Sequence, residues 1–187
     1  MKQSFLKHTL AVVALAATSF AAQAGYLGQT VEARAYYPDL PPGSTTNGGP
    51  RTAVVGAGVE FTDGMFTPFF GPTFDFADTT ITITHAATGH SSATFNGYGF
   101  FDVNSTIADI VGVDILSDNT GLVSGQPGRI TFNANTVFVN FESLFPGANA
   151  LIVLGVRFDS GRVPEPASLA LVGLALLAAG AASRRAR

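Results

Sequence analysis

Between Gly25 and Val163 the apolar positions fall in short runs, most of them alternating, and no stretch sustains a helical period. Val55, Ala57, Val59 and Phe61 fall on one face of a predicted strand, with Gly56, Gly58 and Glu60 on the other. Ile81 and Ile83 alternate with Thr80, Thr82 and Thr84, and Ile110–Leu116 is a further apolar run. Ile130 and Phe132 alternate before Ala134-Asn135, and Val137, Val139 and Phe141 alternate after it, which predicts a hairpin. Leu151–Val156 is apolar apart from Gly155, as expected of a central strand buried on both faces. Turn-forming clusters separate the runs: Thr45-Thr46-Asn47-Gly48-Gly49-Pro50, Asp118-Asn119-Thr120-Gly121, Gln126-Pro127-Gly128 and Pro146-Gly147. Pro38–Pro50 reads as one long surface loop. Roughly eight or nine strands at this spacing predict an all-β fold over residues 25–158, an antiparallel β-sandwich of jelly-roll-like type.

Two apolar runs at either end break this pattern. Met1 to Ala24 has Lys2 and Lys7, then the apolar core Leu10–Ala17, then Ala22-Gln23-Ala24. Charge, short apolar core and an A-x-A site in that order predict a secretory signal peptide over residues 1–24, with Gly25 beginning the processed chain. The second run, Ala167–Ala182, is all Ala, Leu, Val and Gly apart from Ser168. As a helix it would span roughly 24 Å, short of a ~30 Å hydrocarbon core. Ser183 and snorkelling arginines extend it to a transmembrane helix over about residues 167–183. Arg184, Arg185 and Arg187 follow and set the cytoplasmic side.

Charge and composition narrow the partners. The whole chain carries −3, but the stretch from Gly25 to Pro166 has thirteen acids, five arginines and no lysine, a net charge of −8. Such a surface disfavours nucleic acid. There is no cysteine, which excludes disulfides and thiolate metal sites. Sixteen phenylalanines and no tryptophan supply the core volume.

Residues 159–163 form a linker to Pro164-Glu165-Pro166. The two prolines hold the segment extended on either side of one carboxylate, a form that suits a protease cleft. Pro-Glu-Pro, a short apolar helix and an arginine cluster, in that order over residues 164–187, resemble the PEP-CTERM sorting signal of Gram-negative bacteria. The resemblance implies recognition by an exosortase, a membrane-embedded cysteine-type transpeptidase, and cleavage near Pro164, Glu165 and Pro166. It further implies export through the inner membrane as an anchored precursor. The destination is then the periplasm, the outer surface or the extracellular matrix, often in bacteria that make biofilm or exopolysaccharide. Val55-Gly56-Ala57-Gly58-Val59-Glu60-Phe61 and Phe95-Asn96-Gly97-Tyr98-Gly99-Phe100 are similar to the β-rich domains found in such proteins.

Candidate chemistry within the domain is sparse. His85 and His90 flank a turn-like Ala86-Ala87-Thr88-Gly89, and a metal there would need both imidazoles to converge with a third ligand. His85 is in phase with Ile81 and Ile83, so it is expected to end a strand on the core face. Asp114 and Asp118 are weak calcium candidates, and turn-capping aspartates explain the same residues. Glu60 with Asp63, or Asp75 with Asp78, could form a glycosidase pair only if held across a cleft. Tyr36, Tyr37 and Tyr98, with the Phe66–Phe70 stretch, could form an aromatic platform for sugars, and Met65–Pro72, broken by two prolines, could be an exposed binding loop or fold back over the core. No G-x-S-x-G, H-E-x-x-H, P-loop or dinucleotide fingerprint occurs.

The sequence reads as an exported, non-enzymatic structural or adhesive protein without a cofactor. It is the substrate of an exosortase, with the inner membrane as a transient anchor. The alternatives are a carbohydrate-binding module for exopolysaccharide and a secreted hydrolase.

Overall fold

Strands form where β-branched and aromatic residues fit a pleated surface that is half buried. In the computed structural model, which describes residues 25–41, 45–46, 49–62, 71–121 and 123–159, ten such strands occur and no helix. They are β1 (Thr30–Tyr37), β2 (Thr45–Thr46), β3 (Arg51–Val54), β4 (Thr73–Phe76) and β5 (Thr80–His85). The second half holds β6 (Gly97–Asp102), β7 (Ile110–Asp118), β8 (Ile130–Asn133), β9 (Thr136–Asn140) and β10 (Ala150–Phe158).

The larger sheet has the order β2-β1-β6-β9-β8, with β3 also paired to β1. The smaller has the order β4-β5-β10-β7. Every pairing is antiparallel. The chain crosses between sheets at β3–β4, β5–β6, β6–β7, β7–β8 and β9–β10. The antiparallel two-sheet arrangement is the expected one. Because β4–β5 and β8–β9 pair as hairpins within one sheet, the order does not single out a jelly roll.

The inner faces meet through aromatic rings. Phe74 on β4 lies 4.8 Å from Phe100 and 5.0 Å from Tyr98 on β6, and Phe76 lies 5.6 Å from Phe100, all edge to face. Ile81 and Ile83, Ile152, Leu154 and Val156, and Val137 and Val139 surround them. The Ile–Thr alternation of β5 is realised, with Ile81, Ile83 and His85 inward. The predicted hairpin is also present, its two-residue turn set by pairing of Asn133 with Thr136.

Two readings of the pattern are corrected. Val55–Phe61 is not a strand, since β3 ends at Val54 and residues 56–60 loop away from the sheet. Val55 and Phe61 are buried at the two feet of the loop while Val59 is exposed. The loop is held by Glu60, whose carboxylate accepts from Gly56 N and Phe76 N, both at 2.8 Å. Leu151–Val156 lies centrally in its sheet, yet only Ile152, Leu154 and Val156 are fully buried; Leu151, Val153 and Gly155 are half-buried on the other face.

The apolar run in β7 is explained by bulges. Val153 faces Ser117 but Leu154 faces Ile115, and Arg157 faces Gly112 but Phe158 faces Ile110. Leu116 and Val111 are therefore the extra residues, and they are 61% and 54% exposed. Each bulge restores the inward phase, so Val113 and Ile115 still pack on the core. β7 is an edge strand, and irregularity there discourages further strands from adding.

Gly97 is a fixed point of the larger sheet: a Cβ there would lie 2.0 Å from the Val139 carbonyl oxygen. Gly97→Ala is expected to cost about 1–3 kcal/mol by forcing β6 and β9 apart. Gly56→Ala, with nothing within 4 Å of its Cβ, should stay within about 0.5 kcal/mol. Urea unfolding of the two variants beside wild type checks the contrast.

Candidate functional site

Strand β5 delivers His85 to the inner face at the end of the sandwich, and the following loop returns His90 to it. Backbone bonds pin that loop: Thr88 N donates to Pro146 O, His90 N to Leu144 O, and Asn149 N to His85 O. Gly89 lies beside the exposed Phe145 ring, which a Cβ there would meet at 2.8 Å and push aside. The two imidazoles converge to 5.4 Å between centroids, at 81°. Phe141 stacks on His90 at 5.2 Å and meets His85 edge to face at 4.7 Å. Tyr98 closes the group, about equally distant from both rings at 5.9 and 6.0 Å.

Both histidines are more than nine-tenths buried. The Nδ1 of His90 lies 3.2 Å from Asn96 Oδ1. Asn96 Nδ2 donates to Ser91 O, so the oxygen faces the ring, and only an Nδ1–H can bond to it. His90 therefore carries its lone pair on Nε2. Among the described residues that nitrogen and both ring nitrogens of His85 find no hydrogen-bond partner. Burial pulls the His85 pKa down to about 3, with the neighbouring His90 adding to the effect. Burial likewise lowers His90, against the bond to Asn96. Among the described residues no group of three or more His, Asp or Glu is placed to hold a metal ion.

The tyrosines do not share a surface. Tyr98 faces the core, Tyr36 is buried on the outer face of the larger sheet, and Tyr37 is exposed at the end of β1. Around Tyr36 a second aromatic group forms that composition did not reveal. The register sets Phe101 opposite Glu32, Gly99 opposite Arg34 and Phe138 opposite Gly99. Rings of Tyr36, Phe95, Phe101 and Phe138 lie 5.7–6.4 Å apart. The Arg34 guanidinium sits 4.8 Å over Phe101, and its Nε donates to Glu32. A side chain at Gly99 would strike Phe101 and Phe138, so glycine forms the floor between half-buried rings. The available signal was Gly97-x-Gly99 inside a strand, which marks close approach.

The calcium candidates have separate partners. Asp114 pairs with Arg157 on the outer face of β7 and β10. Asp118 turns the chain after β7, accepting from Thr120 N and Oγ1, Gly121 N, Val123 N and Ser124 N. These bonds outweigh partial burial and hold its pKa well below the usual carboxylate range. Of the glycosidase candidates, Glu60 bridges two backbone amides, Asp75 lies on β4, Asp78 lies in the β4–β5 turn, and Asp63 is outside the described residues.

Gly25 packs against that turn: Tyr26 N donates to Asp78 O at 2.8 Å, and a Cβ on Gly25 would lie 2.1 Å from Asp78 Oδ1. Ala22 and Ala24, most of Met65–Pro72, and Pro164, Glu165, Pro166, Arg184, Arg185 and Arg187 lie outside the described residues. Among the described residues no helix is long and apolar enough to cross a membrane.

Residues 162–186 match the family model described as the PEP-CTERM protein-sorting motif. The chain carries a PEP-CTERM signal. A PEP-CTERM signal indicates a secreted, membrane-processed protein and implies processing by an exosortase. The match covers the tail alone. Comparison with curated proteins and with solved structures finds no match for the chain.

The buried histidines set an acid limit on stability. Their folded pKa values lie below the unfolded value of about 6.5, so the unfolded chain takes up protons that the folded chain refuses. Stability should be full above pH 6.5 and fall as pH drops toward 3, by at most ~1.4 kcal/mol per pH unit per histidine. Asp118, also depressed, acts in the same direction only below its unfolded value of about 4. Urea unfolding of the chelator-treated full chain at pH 7 and pH 5 isolates the histidines. The loss between these values should shrink in His85→Phe/His90→Phe.

Proposed function

We propose that this is an exported structural or adhesive protein of the cell envelope or extracellular matrix. It is made with a signal peptide over residues 1–24 and held by a helix over about residues 167–183. An exosortase then cuts it near Pro164–Pro166. The arginines at 184, 185 and 187 hold the cytoplasmic end, and the sandwich is the delivered cargo. The observation that carries this reading is the PEP-CTERM match over residues 162–186. The non-enzymatic part is supported by the acids. Asp118, Asp102 and Glu60 are engaged by backbone amides of their own and neighbouring loops.

Intact mass and cell fractionation with and without the exosortase test the sorting account. The expected product begins at Gly25, ends near Pro164–Pro166 and leaves the inner membrane only with the enzyme present. Replacing Pro164, Glu165 and Pro166 together by alanine should leave the precursor in the membrane. A product that retains Arg187 in the inner membrane under all conditions would make the tail a plain anchor.

A second reading, binding of exopolysaccharide, is favoured by the outer face of the larger sheet. Phe101 and Phe138 offer ring surface beside Arg34 and Glu32, apolar faces next to polar groups, the combination a pyranose ring needs. Phe138→Ala and Arg34→Ala should each weaken retention on exopolysaccharide about tenfold, roughly 1.4 kcal/mol. Equal retention of both variants would sink this reading.

A further inference from the structure

Tyr26 fastens the front of the domain to the sandwich. It is buried, and its ring meets Phe76 at 5.3 Å and Phe158 at 5.1 Å, both edge to face. Backbone bonds fix the residues around it: Tyr26 N donates to Asp78 O, Gln29 N to Tyr26 O, and Gly28 N to Val55 O. The turn that carries Asp78 is held as well, since Ala77 N donates to Thr80 O and Val156 N to Thr79 O. Two fixed segments thus set Gly25 against Asp78.

This contact brings a backbone nitrogen to a carboxylate. A Cβ on Gly25 would lie 2.1 Å from Asp78 Oδ1 and 2.7 Å from Asp78 Cγ. A residue's nitrogen is ~2.5 Å from its Cβ position, so Gly25 N lies within about 4.6 Å of that oxygen. In the uncut chain this nitrogen belongs to the Ala24–Gly25 peptide bond. Hydrolysis of that bond takes up one water and leaves a carboxylate on Ala24 and an ammonium on Gly25. The ammonium is charged at neutral pH and has three N–H donors where the amide had one. Residues 25–187 contain no lysine, so it is also the single primary amine of the processed chain. Resting on the cleavage before Gly25 proposed above, we propose that the α-ammonium released there docks on the Asp78 carboxylate, so that signal cleavage completes the fold at this end of the sandwich. Asp78 is exposed, which keeps the pair modest in strength.

The test uses residues 25–187 in detergent, released from a fusion by a protease cut before Gly25. Wild type and Asp78→Asn are compared with the amine free and acetylated, a reaction that the absence of lysine confines to Gly25 among primary amines. At pH 7 Asp78→Asn should lower the folded-to-unfolded ratio about threefold when the amine is free and leave it unchanged when it is acetylated. Acetylation of folded wild type should run several-fold slower than that of folded Asp78→Asn. Gly25→Ala, whose Cβ would strike Asp78, should lose this protection as well. An equal effect of Asp78→Asn in both amine states overturns the proposal, and so do equal acetylation rates. Should Asp78→Asn fail to fold, wild type decides: acetylation should lower its urea midpoint, and an unchanged midpoint overturns the pair. Intact mass of the native product separates this proposal from the cleavage reading. A native chain that starts at another residue overturns both, while one that starts at Gly25 without the coupling overturns the ion pair alone.

Discussion

The structure depends on one contact, the edge-to-face packing of Phe74 and Phe76 from the smaller sheet against Tyr98 and Phe100 from the larger. With no cysteine and no tryptophan in the chain, phenylalanine and tyrosine rings join the two sheets together with the aliphatic residues around them. Edge-to-face rings at these distances add directionality to the burial. The contact sets which face of β4 and β6 is inner, and a one-residue slip in either strand would invert it. The crossovers at β3–β4, β5–β6 and β6–β7 are what bring those strands to opposite sheets.

Around this core, polar side chains finish the backbone hydrogen bonding that the strands leave open. Asp118 binds the amides of residues 120, 121, 123 and 124, Asp102 those of residues 104, 106 and 107, and Glu60 those of Gly56 and Phe76. Asn119 extends the β7–β10 pairing by one step: its side chain accepts from Leu151 N and donates to Asn149 O. Three acids of a strongly negative domain are thus tied to backbone amides, while Glu32, Asp114 and Glu142 pair with arginines.

Two sites stand apart from this scheme. Among the described residues the histidine pair leaves buried ring nitrogens without hydrogen-bond partners, while the outer aromatic face leaves rings partly open beside an ion pair. Both arise where a strand meets residues far away in sequence. His90 depends on Leu144 and Phe141, and Phe101 on Phe138.

Local alternation determined by itself that the domain is β. It placed Ile81, Ile83 and His85 inward and formed the hairpin around Ala134-Asn135, because side-chain direction in a strand has a period of two. The tail motif was likewise legible, since Pro-Glu-Pro, apolar run and arginines are contiguous. Strand β1 was not, because Ala33 and Ala35 give its inner face a weak hydrophobic signal. The Val55–Phe61 alternation misled, because Glu60 found backbone amides in Gly56 and Phe76 and a loop replaced the strand. Bulges at Val111 and Leu116, the meeting of His85 with His90, and the grouping of Tyr36 with Phe95, Phe101 and Phe138 were decided only by tertiary structure. Each rests on pairing between distant segments, and register between strands is a property of two segments together, which neither one carries alone.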